Sequence, residues 1–244
     1  MPVVIEPARA QRFQMGGGDS RRLVGPDVGA RSVSMNFSVF QPGHEFPQHV
    51  HDASADVFIV LDGGVSVRQG DAYTPIKAGD LAYIPPGEVH GTVNLTDGVA
   101  TLISFQSPPD DALYRGERDS SRNGAAPKPP PGHTSRVKIG NLTATAPTAR
   151  PGVRAWTPVG AAELRISCYV LDPGATLDLP AADGERVVFV TEGSAALEHG
   201  AATAAALPRW TGAFLAARES GRLRNDGPNP TQVIECRPAA RQTV

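Results

Sequence analysis

The chain has 244 residues, with 23 Lys and Arg set against 25 Asp and Glu, a formal net charge of −2. That balance excludes a broad basic surface for nucleic acid, and no apolar run reaches the roughly 18 residues of a membrane span. The 26 Gly and 23 Pro point to many turns and few long helices, and the two cysteines, Cys168 and Cys236, cannot form a disulfide framework.

The N-terminal MPVVIEPARA lacks a basic start and an apolar core, so no secretory signal is expected and a reducing, cytoplasmic setting follows. Residues 1–30 read as an irregular arm around Gly16-Gly17-Gly18, with neither the lysine nor the helix of a phosphate loop. Strand signals start near Arg31. Val33, Met35, Phe37 and Val39 alternate with Ser32, Ser34, Asn36 and Ser38, which gives one apolar and one polar face. Residues 56–62 (DVFIVLD), 80–84 and 99–105 (VATLISF) read the same way, separated by Gly, Pro and Asp turns. Such short strands predict an all-β sandwich or barrel over residues 31–108.

Residues 109–150 are polar and Pro-rich, with three consecutive prolines at 129–131, and are expected to be a linker. Strands return from residue 151 to the end: Leu164, Ile166, Cys168 and Val170 alternate with polar neighbours, and RVVFV (186–190), AFLA (213–216) and TQVIEC (231–236) follow. The halves resemble each other. VFQPG at 39–43 matches VLDPG at 170–174, and DVFIVLDG at 56–63 matches RVVFVTEG at 186–193. Two copies of one small β-domain are therefore expected.

Chemistry concentrates in the first copy, where four of the six histidines lie. His49 and His51 are two apart, which on a strand puts both rings on one face with Cα atoms roughly 6.5 Å apart. Two imidazoles so placed can converge on one ion. Asp56 opens the next strand and His90 follows the Pro85-Pro86-Gly87 turn, offering a carboxylate and a third imidazole. Three nitrogens and one carboxylate leave open positions on a single divalent transition metal: Fe, Mn, Ni, Cu or Zn.

This stretch resembles the cupin superfamily. The first cupin signature, G-x5-H-x-H-x3,4-E-x6-G, is matched by Gly43, His49, His51, Asp56 and Gly63. The second, G-x5-P-x-G-x2-H-x3-N, is matched by Gly79, Pro85, Gly87, His90 and Asn94. The resemblance implies two jelly-roll barrels and a metal held by His49, His51 and His90. The departure is Asp56 in place of Glu. One methylene shorter, it would ligate the metal directly, act through water, orient a histidine or serve as the catalytic base. In the second copy Pro180 falls opposite His49, Ala182 opposite His51, Arg186 opposite Asp56 and, by a looser alignment through Gly212, Leu223 opposite His90. That copy is expected to be a degenerate barrel without a metal.

Phe58, two residues beyond Asp56 on the same face, together with Phe46 and His44, are the candidate substrate contacts. The expected partner is a small organic molecule, with no nucleic acid or membrane, and small β-domains with open edges make a homodimer plausible. Resemblance favours dioxygenase-type chemistry. A non-redox isomerase, lyase or cyclase, or a non-catalytic binding barrel, would use the same residues.

Overall fold

The computed structural model describes residues 1–13, 16–115, 117, 127–200 and 204–238. Each β-rich run named above overlaps a strand, with Val33, Val99 and Ala216 just outside the strand ends, and the one α-helix among the described residues is the four-residue Asp111–Tyr114. No helix is long and apolar enough to cross a membrane. The chain forms two units. The N-terminal barrel comprises Gln11–Leu23 and Ser34–Asn141; the C-terminal barrel comprises Met1–Ala10, Val24–Val33 and Leu142–Val244.

Both barrels are built on one plan, a seven-stranded sheet with a four-stranded sheet. In the N-terminal barrel the large sheet runs Lys138–Asn141, Asp80–Ile84, Ala55–Asp62, Ala100–Ser107, Ser34–Phe40, Asp19–Val24, Gln11–Phe13. Its small sheet runs Glu45–His49, His90–Val93, Gly64–Gln69, Ala72–Lys77. In the C-terminal barrel the matching order is Val3–Ile5, Gly212–Leu215, Arg186–Glu192, Thr231–Pro238, Leu164–Leu171, Val153–Gly160, Thr148–Arg150, with Thr176–Leu179, Gly221–Arg224, Ser194–Glu198 and Ala205–Pro208 in the small sheet. All described pairings within these sheets are antiparallel, as hairpin-connected short strands require.

The outer strand of each large sheet revises the expected division of the chain. Residues 1–30 are not a bare arm: Val3–Ile5 pairs with Gly212–Leu215 in the C-terminal barrel. Residues 109–150 are not a bare linker: Lys138–Asn141 pairs with Asp80–Ile84 in the N-terminal barrel. Each barrel is thus finished by a strand from the part of the sequence that precedes the other. Three- and four-residue strands flanked by Pro and Gly carry too little alternation to stand out from sequence alone.

The repeat is also visible in one buried asparagine per barrel. Asn94 donates from Nδ2 to the Phe40 and Gly98 carbonyls, and its main chain bonds Gly43 and His44. Asn225 does the same with Leu171, Asn229, Gly174 and Ala175. Both are 0% exposed. A buried amide tying three turns together loses several satisfied carbonyls when truncated, so Asn94→Ala is expected to destabilise the N-terminal barrel by about 1–3 kcal/mol in urea unfolding. Gly63 and its counterpart Gly193 both have φ above +70°. A Cβ at Gly63 would lie 2.4 Å from the Val99 carbonyl oxygen, so the acid-Gly strand ending repeated in both halves is a steric requirement.

The asparagine register corrects one alignment. With Asn225 matching Asn94, Gly221 stands at the position of His90, and Leu223 matches Thr92. Arg186 keeps the place expected for it: it pairs with Leu215 as Asp56 pairs with Ile84.

Burial differs from the simple alternation reading as well. The strand Ser34–Phe40 is buried on both faces apart from half-buried Val39. Its polar side, Ser34, Asn36 and Ser38, shares a face with Phe40, which packs into the interior cluster with Phe58, Val60, Ala82, Ile84 and Leu102. The barrel interior therefore grades from an apolar end to a polar end, and the polar end carries the site.

Candidate metal centre

His49 closes the strand Glu45–His49, and His51 stands two residues on, beyond the strand end. His90 opens His90–Val93, where its Cα partner is His49. The register shift just after His90 accompanies the change of strand into turn. Asp56 comes from the neighbouring sheet, on Ala55–Asp62. All four side chains are buried.

Each imidazole has its Nδ1 engaged by an acceptor. His49 donates to the Pro47 carbonyl at 2.7 Å, His51 to Asp110 Oδ2 at 2.7 Å, and His90 to the Glu88 carbonyl at 2.9 Å. With the proton on Nδ1, a neutral ring presents a lone pair at Nε2. The three rings offer ligand atoms lying within 4.8 Å of one another. Nε2 of His49 and Nε2 of His51 are 3.1 Å apart. Two lone pairs at that distance repel unless a cation lies between them. The same separation suits two ligands at roughly a right angle about an ion with bonds of about 2.1 Å. His90 Nε2 and Asp56 Oδ1 are buried without a hydrogen-bond partner. Asp56 Oδ2 lies 3.9 Å from Nε2 of both His51 and His90. A divalent metal would satisfy the three Nε2 atoms together, so His49, His51 and His90 are the residues that could hold it, with the Asp56 carboxylate close beside them.

A small cavity of about 20 Å³ adjoins the cluster. Its lining includes Phe46 and Phe58, as expected, and His49 and Asp56. The Phe58 ring lies 5.7 Å from that of His90, and Phe46 lies 5.6 Å from His49. His44 is not among this lining. Its Nδ1 accepts the Gln41 backbone N–H, and its side chain borders a separate hollow with Arg12, Gly17 and Asp19. Proximity to Gly43 in sequence places it in the turn outside the barrel.

Several lining groups were not singled out from sequence. Asn36, Ser38, Ser104 and Gln106 form a polar wall, and Phe13 and Leu113 complete the cavity. Tyr114 donates to Asn36 Oδ1 at 3.0 Å, and Asn36 donates to Ser104 Oγ at 3.4 Å. Burial pushes the Tyr114 hydroxyl up to about 12, so it stays a donor.

Asp110 is the other addition. It caps the short helix by accepting the Ala112 N–H with Oδ1, and receives His51 with Oδ2. A carboxylate behind a ligating histidine fixes the ring and raises its basicity. Asp110→Ala is expected to weaken metal binding by about 10–100-fold, measured by competition with a chromophoric chelator.

Among the described residues the C-terminal barrel has no comparable cluster. Gly221, at the His90 position, pairs with Leu179 as His90 pairs with His49, so by register Leu179 and not Pro180 stands at the His49 position, and Arg186 at the Asp56 position pairs with Glu235 at 2.8 Å. Tyr169 donates to the same Glu235 at 3.0 Å. The surrounding interior is aliphatic, with Leu171, Leu177, Leu179, Val188, Leu207 and Leu223 buried. Cys168 and Cys236 are buried thiols, and burial pushes Cys168 up to about 12, so neither is a ready nucleophile.

Comparison with known proteins agrees with this architecture. Residues 36–105 match the cupin domain family. Over 108 residues the chain is 29% identical to the polyketide synthase CurC of Streptomyces cyaneus, covering 44% of this chain and 70% of that protein. It is 36% identical over 91 residues to germin-like protein 3-5 of Oryza sativa subsp. japonica, covering 34% of this chain. That match spans only 40% of the germin-like protein's length. The fold matches Bacillus subtilis oxalate decarboxylase, a protein with Mn(II) centres, with a TM-score of 0.73 at 14% identity, over 98% of this chain and 78% of that one. The chain has a two-barrel cupin fold, and the cupin family match lies in its N-terminal barrel. That barrel carries the three-histidine cluster, and the C-terminal barrel shows no such cluster among the described residues.

Proposed function

We propose that the N-terminal barrel is a mononuclear metal enzyme that binds a small organic substrate through oxygen, in a dioxygenase-type reaction. The observation that supports it is the convergence of the three histidines, with the Asp56 carboxylate 3.9 Å from two of their Nε2 atoms, beside a small cavity. A redox metal held there supplies the electron transfer that O2 chemistry requires.

The protein's own groups do the rest. His49, His51 and His90, locked by Pro47, Asp110 and Glu88, fix the cation. Asp56 Oδ1, lacking a partner, is placed to take a proton from the substrate. Ser38, Asn36 and Ser104 offer hydrogen bonds to its polar edge, while Phe46 and Phe58 exclude water. No Lys or Arg is among the described lining residues. A substrate's negative charge is therefore met at the cation, and the remainder of the molecule is neutral. Leu113 is the one lining residue that does not come from a strand, so an entering substrate displaces the short helix most readily.

The unpartnered Asp56 oxygen also supports a second reading: proton abstraction without oxygen, in an isomerase, lyase or cyclase, with the metal as Lewis acid. Oxygen-electrode measurements on anaerobically purified protein, reloaded in turn with Fe, Mn, Ni, Cu or Zn and offered enolisable β-dicarbonyl compounds, separate the two. O2 uptake coupled to substrate loss supports the first reading; turnover under argon with any of these metals overturns it in favour of the second. Substrate binding with no turnover would reduce the site to a binding barrel.

A further inference from the structure

Gln106 is 1% exposed, lines the cavity and stands opposite Asp56 in the sheet. Its amide orientation is set by its neighbours. The Asp110 backbone N–H, which can only donate, faces Gln106 Oε1 at 3.4 Å, and Ser34 Oγ lies 3.5 Å from the same oxygen. Nε2 therefore points the other way, to 2.9 Å from Nε2 of His51. The His51 proton is on Nδ1, held by Asp110, so Gln106 donates to the His51 lone pair. That is the lone pair a cation would claim. Once the cation takes it, the Gln106 N–H is left buried without its acceptor, a costly state for an amide. Among the described residues His51 is its one hydrogen-bond acceptor, and the natural replacement is whatever anion or oxygen ligand shares the cation with the histidines.

We propose that Gln106 is the hydrogen-bond donor that positions this additional ligand, an anionic or oxygen-bearing group, on the cation. The assignment rests on the metal reading of the site. It gives the pocket a directed donor on the Asp56 side, so a ligand is gripped by charge at the cation and by a hydrogen bond at one edge.

The test is azide binding to the Co(II)-loaded protein, followed by visible absorption, in the parent, Gln106→Leu and Gln106→Glu. Gln106→Glu keeps the size of the side chain and an oxygen for the Asp110 amide while removing the N–H. The expected result is Co(II) affinity within about threefold of the parent and azide affinity lowered by about tenfold or more in both variants. Azide affinity equal to the parent's in both variants overturns the assignment alone. Parallel loss of Co(II) affinity in both variants overturns it in favour of a prop behind His51. A parent that takes up no Co(II) overturns the metal reading and this assignment with it.

Discussion

His49→Ala and His90→Ala are each expected to stay folded and to lose more than about 100-fold in metal affinity, beyond the loss caused by removing a partner behind a ligand. The two rings come from adjacent paired strands, His49 at the end of one and His90 at the start of the other. Each removed imidazole takes away one of three converging nitrogens, and the Asp56 carboxylate, 3.9 Å from Nε2 of His51 and His90, is not positioned to replace it. Folding should survive because much of the interior cluster, including Val60, Val65, Val67, Ile76 and Ile84, does not line the site cavity. Elemental analysis after dialysis against a chelator, with circular dichroism as the folding control, gives the readout. Retention of a stoichiometric metal by either variant would show that the cation, if present, sits elsewhere.

Arg186→Ala is expected to produce the opposite pattern: metal content unchanged, stability reduced by about 3–5 kcal/mol in chemical denaturation. Arg186 and Glu235 are 3% and 5% exposed and face each other at 2.8 Å. Burial lowers the Arg186 guanidinium below its usual range, only partly offset by the Glu235 charge. Removing the cation leaves a buried carboxylate whose described support is the Tyr169 hydroxyl. Replacing both members, as in Arg186→Met with Glu235→Leu, removes both desolvation costs and should recover most of the loss. A metal-depleted Arg186→Ala protein would mean that the register placing Arg186 at the Asp56 position does not separate the two sites.

The metal residues were legible because their spacing is dictated by geometry. Two histidines at adjacent same-side positions and a third after a Pro-Gly turn have few structural uses other than a shared ion. Phe58 followed from counting one alternate position on from Asp56, and Phe46 from its place beside the histidine pair. The polar wall was not legible, because alternation along Ser34–Phe40 distinguishes two faces without saying which is inside, and here both are buried. Gln106 and Asp110 were hidden for a related reason: they flank the cis Ser107-Pro108 bond, at the point where the sequence turns polar and resembles a spacer. His44 was misplaced because nearness along the chain stood in for nearness in space. The Leu223 alignment slipped because it was anchored on a glycine, whereas the buried asparagines fix the register through four corresponding hydrogen-bonded partners each.

The exchanged outer strands bear on how this protein can be cut. A fragment spanning residues 34–107 would present Asp80–Ile84 as a bare template for another molecule's backbone, because its natural cover, Lys138–Asn141, would be gone. Deleting Met1–Ala10, remote in sequence from residues 212–215, would strip the cover from the other barrel instead. Self-association after so small a trim, with the metal-binding half untouched, is the behaviour to expect from a polypeptide whose beginning finishes its end.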